Sequence, residues 1–225
     1  MSGASGAVDA SRVFSCPEDA ELARAAQAGD LARLETLVAG GANPSTRGLR
    51  GVSVLQWAVL HRARVSMNKL LALGADATSI DEDGRTVVHY AAGMDDPGFL
   101  DDLIEADVDL NVRDARTGQT PIFAALQGDR TPQLEALLRA AREGKVDLAL
   151  ADYAGNSLLH AAAKVNDTRL VLELLERGVS PTALNKQGVD FMRYLRNTPK
   201  EWIDSQHQTE RAAIESLMRP YASGS

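Results

Sequence analysis

The chain has 225 residues, 44 % of them hydrophobic and 24 % charged, the balance of a globular protein rather than a disordered one. Its apolar runs, such as Ser53–Leu60 and Leu170–Leu175, fall far short of the roughly 20 residues that cross a bilayer, so no membrane span is expected. A formal charge of −7, with no cluster of Lys and Arg, speaks against nucleic acid, and the single Cys16 excludes an internal disulfide and a multi-cysteine zinc site.

Residues 1–16 open with Met1-Ser-Gly-Ala-Ser-Gly-Ala-Val8, small and polar, without a charged or apolar signal segment, and are expected to be flexible. Stretches of this kind often trail a removed signal or lipid anchor. A periplasmic location is expected if such a segment was removed, and a cytoplasmic one otherwise.

From residue 17 to 195 the chain repeats itself. Gly51, Gly84, Gly118, Gly155 and Gly188 are separated by 33, 34, 37 and 33 positions. Related helices follow the first four: Gly51-Val-Ser-Val-Leu-Gln-Trp-Ala58, Gly84-Arg-Thr-Val-Val-His-Tyr-Ala91, Gly118-Gln-Thr-Pro-Ile-Phe-Ala-Ala125 and Gly155-Asn-Ser-Leu-Leu-His-Ala-Ala162. A second apolar helix comes about a dozen residues on, as in Met67-Asn-Lys-Leu-Leu71 and Leu170-Val-Leu-Glu-Leu-Leu175. Turns such as Gly41-Ala-Asn43, Gly74-Ala-Asp76 and Gly178-Val-Ser180 end the second helices. The Ser or Thr two residues after the loop glycine can cap helix one, and Pro121 suits a first helical turn. Small Ala residues let neighbouring copies stack, and a lone helix pair cannot bury its apolar face.

This pattern resembles the ankyrin repeat, whose hallmark is Gly-x-Thr-Pro-Leu-His-x-Ala-Ala followed by Leu-Leu-x-x-Gly-Ala-Asp. The expected fold is therefore all-α: an ankyrin-repeat solenoid of about six helix pairs with short hairpin loops. Two departures stand out. The third copy replaces its glycine turn with Ala106-Asp-Val-Asp109, and the fourth is lengthened by Arg139-Ala-Ala-Arg-Glu-Gly-Lys145, as a longer second helix or an extended loop. Residues 196–225 are expected to form a capping helix and tail. Thr198-Pro199 is its predicted start, with Phe191, Tyr194, Leu195, Trp202, Ile203, Ile214 and Leu217 sealing the last repeat.

No phosphate loop, dinucleotide fingerprint or nucleophile elbow is present. His89 and His160 occupy equivalent positions two repeats apart, too distant to share a metal, and a bond to the adjoining hairpin is the expected role. Asp107-Val-Asp-Leu-Asn111 lacks the glycine and the final Glu of a calcium loop. Neither catalysis nor a metal or cofactor is expected. Between Asp81 and Leu110 stand ten acids and one base, Arg85, a solvated acidic surface or a strip facing a basic partner.

The ankyrin resemblance implies that hairpin tips and the exposed ends of helix one grip another protein on a concave face. The implied contact residues are Leu49, Arg50, Val52, Leu60 and His61, then Glu82, Asp83, Arg85 and Met94. Arg116, Gln119 and Gln127 follow, then Tyr153, Asn156 and Lys164. Trp57 and Tyr90, at matching places on helix one, suit either packing between repeats or a binding hot spot. The segments Val13-Phe-Ser-Cys-Pro17, Arg116-Thr-Gly-Gln-Thr-Pro and Asn185-Lys-Gln-Gly-Val-Asp resemble bacterial ankyrin-repeat proteins found with type VI secretion lipase effectors as immunity proteins. That resemblance implies a secreted lipase toxin as partner, and a monomer or hetero-complex. A general scaffold with several weak partners is the alternative.

Overall fold

The computed structural model describes residues 9–222, so the expectations for residues 1–8 and 223–225 lie outside the described residues. The chain divides into two compact units, one up to Arg116 and one from Thr117 onward.

The first unit holds three helix pairs: α1 (Pro17–Ala28) with α2 (Leu31–Ala39), α3 (Val54–Leu60) with α4 (Arg64–Ala72), and α5 (Val87–Gly93) with α6 (Gly98–Glu105). First helices pack on first helices, α1 on α3 and α3 on α5, while α4 packs on both α2 and α6. The second unit holds α7 (Pro121–Gln127) with α8 (Thr131–Arg142), α9 (Leu158–Lys164) with α10 (Thr168–Glu176), then α11 (Phe191–Arg196) and α12 (Ser205–Ala222). Here α7, α9 and α11 form the first-helix row, and α12 packs on α10 where a sixth second helix would stand. Among the described residues only an isolated bridge, Arg47 to Ser53, has strand character.

Helices α3, α5, α7 and α9 have seven residues each, too few to persist alone in water. They hold because Ala58, Ala91, Ala125 and Ala162 are fully buried and let adjacent helices approach closely. Consecutive hairpins are also stitched by backbone bonds. Glu82 N donates to Arg50 O (2.8 Å), Ala115 N to Gly84 O (2.8 Å), and Lys186 N to Ala154 O (2.9 Å). Gly84 shows why a glycine is needed at this point. Its φ is +85°, and a Cβ there would lie 2.7 Å from Ala115 N.

The caps explain the histidines. The Ser53 hydroxyl accepts from Gln56 N (3.1 Å), and Gln56 Oε1 accepts from Ser53 N (2.8 Å). Gln56 Nε2 then donates to Arg85 O of the next hairpin (2.8 Å). His160 holds the same position: Nδ1 accepts from Ser157 N (3.2 Å) and Nε2 meets Val189 O of the next hairpin (2.9 Å). One ring thus joins a helix cap to the neighbouring loop. In α7 the position is Phe123, which cannot reach back, and the buried Thr120 hydroxyl has no partner among the described residues.

The lengthened fourth copy makes a longer helix: α8 has 12 residues where α2, α4 and α10 have nine. Two expectations are corrected. From Asp9 onward the first segment is packed rather than flexible: Ala10–Arg12 forms a 3-10 turn and Phe14 is buried. Thr198-Pro199 opens only a 3-10 turn, Lys200–Trp202, and the last helix begins at Ser205, where Asp204 accepts from His207 N (2.8 Å). Phe191, Leu195 and Ile214 are buried as expected, but Trp202 and Leu217 face solvent.

Candidate functional site

Sequence-selected residues converge most closely in the first unit. Leu49, Arg50, Val52, Trp57, Leu60, Asp83 and Tyr90 line a cleft of about 240 Å³ together with Val13 and Asp81. Its apolar wall comes from Val13, Leu49, Val52 and Leu60, and two of these are unusually exposed: Leu49 at 64 % and Leu60 at 45 %. Scattered exposed leucines carry no message, but two converging on one concavity fit a binding site.

The cleft is built from rigid parts. Trp57 is buried at the base of the cleft, which fits the packing alternative of its two readings. Phe14 meets its ring edge-on at 5.6 Å, and the His61 ring lies over it at 3.9 Å while His61 Nδ1 bonds Trp57 O (2.9 Å). Leu49 N donates to Val13 O (2.6 Å), tying the hairpin to the packed N-terminal segment. Arg50 takes a left-handed backbone (φ 58°) at the lip of the cleft, a conformation that costs a non-glycine residue of order 1 kcal/mol or more.

The polar end is self-satisfied. Asp81 is buried and accepts from Asp83 N (2.9 Å), Arg85 N (3.0 Å) and the Tyr90 hydroxyl. Burial, and then this bond to Asp81, hold the half-buried Tyr90 phenol well above its ordinary range. Arg50 Nη2 donates to both carboxylate oxygens of Asp83 (2.8 and 2.9 Å), and Arg116 approaches the same carboxylate at 3.2 Å. Arg85 pairs with Asp114 at 3.5 Å. Glu82 is exposed beside them, and Met94 is half-buried past the end of α5.

Several acids of the strip have partners within the first unit. Asp95 pairs with Arg62 (3.1 Å), Asp96 accepts from Gly98 N (2.9 Å), and Asp102 takes a bidentate grip from Arg64 (2.6 and 2.5 Å).

The second unit carries its own candidates. Tyr153 is 46 % exposed at a hairpin tip, its N donating to Thr117 O (2.7 Å) and its ring lying over Gly118. Gln127 and Lys164 are exposed at or beyond the ends of α7 and α9, and Gln119 is half-buried. Asn156 is tied into its hairpin by bonds to Asp152 (3.0 Å) and from Asn185 (2.9 Å). The sequence reading named Val13 and Phe14 only within a family-like segment and gave them no place at the cleft, because one isolated turn has no periodicity to betray it.

No group of three or more His, Cys, Asp or Glu stands close enough to hold a metal among the described residues, and none of their helices is long and apolar enough to cross a membrane. The cleft offers shape and apolar surface, which suits binding a protein side chain.

The ankyrin-repeat family profile matches residues 154–186, the hairpin and helix pair α9–α10. The chain carries an ankyrin repeat there, and its fold is an all-α ankyrin-repeat solenoid. Its all-α repeat architecture is shared with the ankyrin-repeat domain of Bcl-3, with a TM-score of 0.69 at 22 % identity over 78 % of this chain and 79 % of that one. A second solved structure with this fold is the complex of the predatory endopeptidase Bd0816 of Bdellovibrio bacteriovorus with immunity protein Bd3460. The matched chain gives a TM-score of 0.65 at 20 % identity, over 80 % of this chain and 93 % of that one. In sequence, the ankyrin-repeat chain is 42 % identical to Protein PhlB of Serratia liquefaciens over 120 residues, 53 % of this chain and 51 % of PhlB. It is 28 % identical to the NF-kappa-B p105 subunit of Gallus gallus over 155 residues, 68 % of this chain and 16 % of that protein. The matches thus span about half, or less, of these relatives' own length.

Proposed function

We propose that this ankyrin-repeat protein binds and neutralises a secreted bacterial effector, a type VI phospholipase, by laying hairpin tips and first-helix ends over its active-site entrance or membrane-docking face. The observation that carries the reading is the pre-formed cleft at Leu49, Val52 and Leu60. A rigid apolar concavity with exposed aliphatic lips receives an anchoring side chain at little ordering cost. The fold shared with a chain of an effector–immunity complex supports neutralisation. The bacterial relative PhlB and the resemblance to proteins found with lipase effectors support the choice of effector. The ankyrin-repeat fold and these neighbours point to a binding module without catalysis of its own.

The test is a titration of phospholipid hydrolysis by a purified secreted phospholipase from the native host. Hydrolysis is expected to fall to background at one equivalent of the ankyrin-repeat protein. Undiminished hydrolysis at a tenfold excess would remove the phospholipase reading.

A further inference from the structure

A second concavity lies away from the hairpin-tip cleft, between the C-terminal ends of α4 and α6. It measures about 690 Å³. Leu71, Ala72, Ala75, Ala77, Ala106 and Val108 give it an apolar floor. Every ionisable group lining it is a carboxylate: Asp102, Glu105, Asp107 and Asp109, with no Lys, Arg or His. Asp102 is balanced by Arg64 outside the groove. Both helices also point their negative ends here, with α4 closing at Ala72 and α6 at Glu105.

The placement of Glu105, unlike that of Asp102, works against the fold. Glu105 occupies the last turn of α6, where a cation would be favoured and none is present. It follows Asp101 and Asp102 at the i−4 and i−3 positions, a repulsive arrangement on a helix surface. Asp107 takes a left-handed backbone (φ 54°) where sister repeats use Gly41, Gly74 and Gly178. A helix end that breaks its own rules beside an open apolar groove is better explained by an occupant than by stability.

We infer that the α4–α6 groove docks a cationic, amphipathic segment of a partner protein, with Lys or Arg meeting Glu105 and Asp109 and an apolar side chain on the alanine floor. Charge complementarity selects this occupant: an acidic or neutral segment would enter against both helix ends and the carboxylates. The surface is separate from the cleft at Leu49, and it stands or falls independently of the phospholipase reading.

The test uses the whole chain and three eight-residue peptides: one of leucine and lysine, one with glutamate for lysine, and one with serine for leucine. Binding is followed by backbone amide NMR shifts at low salt. The leucine–lysine peptide is expected to give saturable shifts centred on Ala72, Ala75, Ala106 and Val108, while the other two bind at least tenfold more weakly. Glu105→Lys is expected to abolish those shifts and at the same time raise the melting temperature, since it relieves the helix-end repulsion. Asp109→Asn, which keeps an acceptor for Asn111 N, should weaken binding several-fold with the fold intact. The inference is overturned if the serine–lysine peptide binds equally well, which would mean a bare cation effect. Shifts spread over the whole acidic surface, or wild-type binding by Glu105→Lys, would overturn it as well.

Discussion

At residue scale, the repeats differ by single side chains whose effects can be separated. Ser53 caps α3 through a real hydrogen bond, so Ser53→Ala should cost about 1 kcal/mol. Thr120 sits at the matching place with its hydroxyl buried and unpartnered, so Thr120→Val should leave stability unchanged or raise it by about 1 kcal/mol. Thermal melts of the two variants check the pair, and a drop on Thr120→Val comparable to that of Ser53→Ala would contradict the cap assignments. Asp102 gives a prediction in pH. Its bonds from Arg64, and then from Asn68, lower its carboxyl below the usual range. A lowered native value means a contribution that is present at neutral pH and lost as the pH falls below about 4. Asp102→Asn should therefore destabilise by about 1 kcal/mol at pH 7, the half-exposed Arg64 being screened by solvent. Denaturant titrations should show the gap to wild type closing on acidification, and a gap that stays constant into acid would contradict the pairing.

At the scale of elements, much was legible before any coordinates. The loop glycines, the Ser or Thr caps and the alanine seams are local rules repeated at a 33-residue period, so each helix announced itself several times over. Features that occur once were hidden. The packing of Phe14 on Trp57 joins a non-repeating turn to a repeat, and periodicity says nothing about such a contact. The start of α12 was misplaced because Thr198-Pro199 carries a strong local helix signal, while Asp204, six residues on, makes the actual cap. The ion pairs of the cleft had a signal that went unused: Arg50, Asp83 and Arg116 are opposite charges at 33-residue steps, one repeat apart. The second-helix layer supplies a stability test. Leu174 is fully buried in α10, so Leu174→Asp places an uncompensated charge in that layer and should cost more than about 3 kcal/mol. A circular dichroism melt within a degree or two of wild type would contradict the packing described for α10.

At the scale of the molecule, function depends on surfaces that the repeat pattern positions but does not choose. The resemblance nominated contacts along every repeat, and the structure sorts them. Trp57 is buried, Asn156 bonds to Asp152 and Asn185, Arg50 and Arg116 share Asp83 while Arg85 pairs with Asp114, and Leu49, Val52, Leu60 and Tyr153 remain as apolar surface. Replacing Leu49 and Leu60 with Ser should leave the melting temperature within a few degrees of wild type, because both are exposed, yet raise the dissociation rate of the proposed effector partner at least tenfold. The most direct measurement is hydrogen–deuterium exchange of the ankyrin-repeat protein with and without the proposed partner, a secreted phospholipase. The account predicts slowed exchange at the hairpin around Leu49–Ser53 and at the cleft-lining segment from Asp81 to Tyr90. Protection confined to α12 or to the second-helix row, with these segments exchanging as in the free protein, would contradict it.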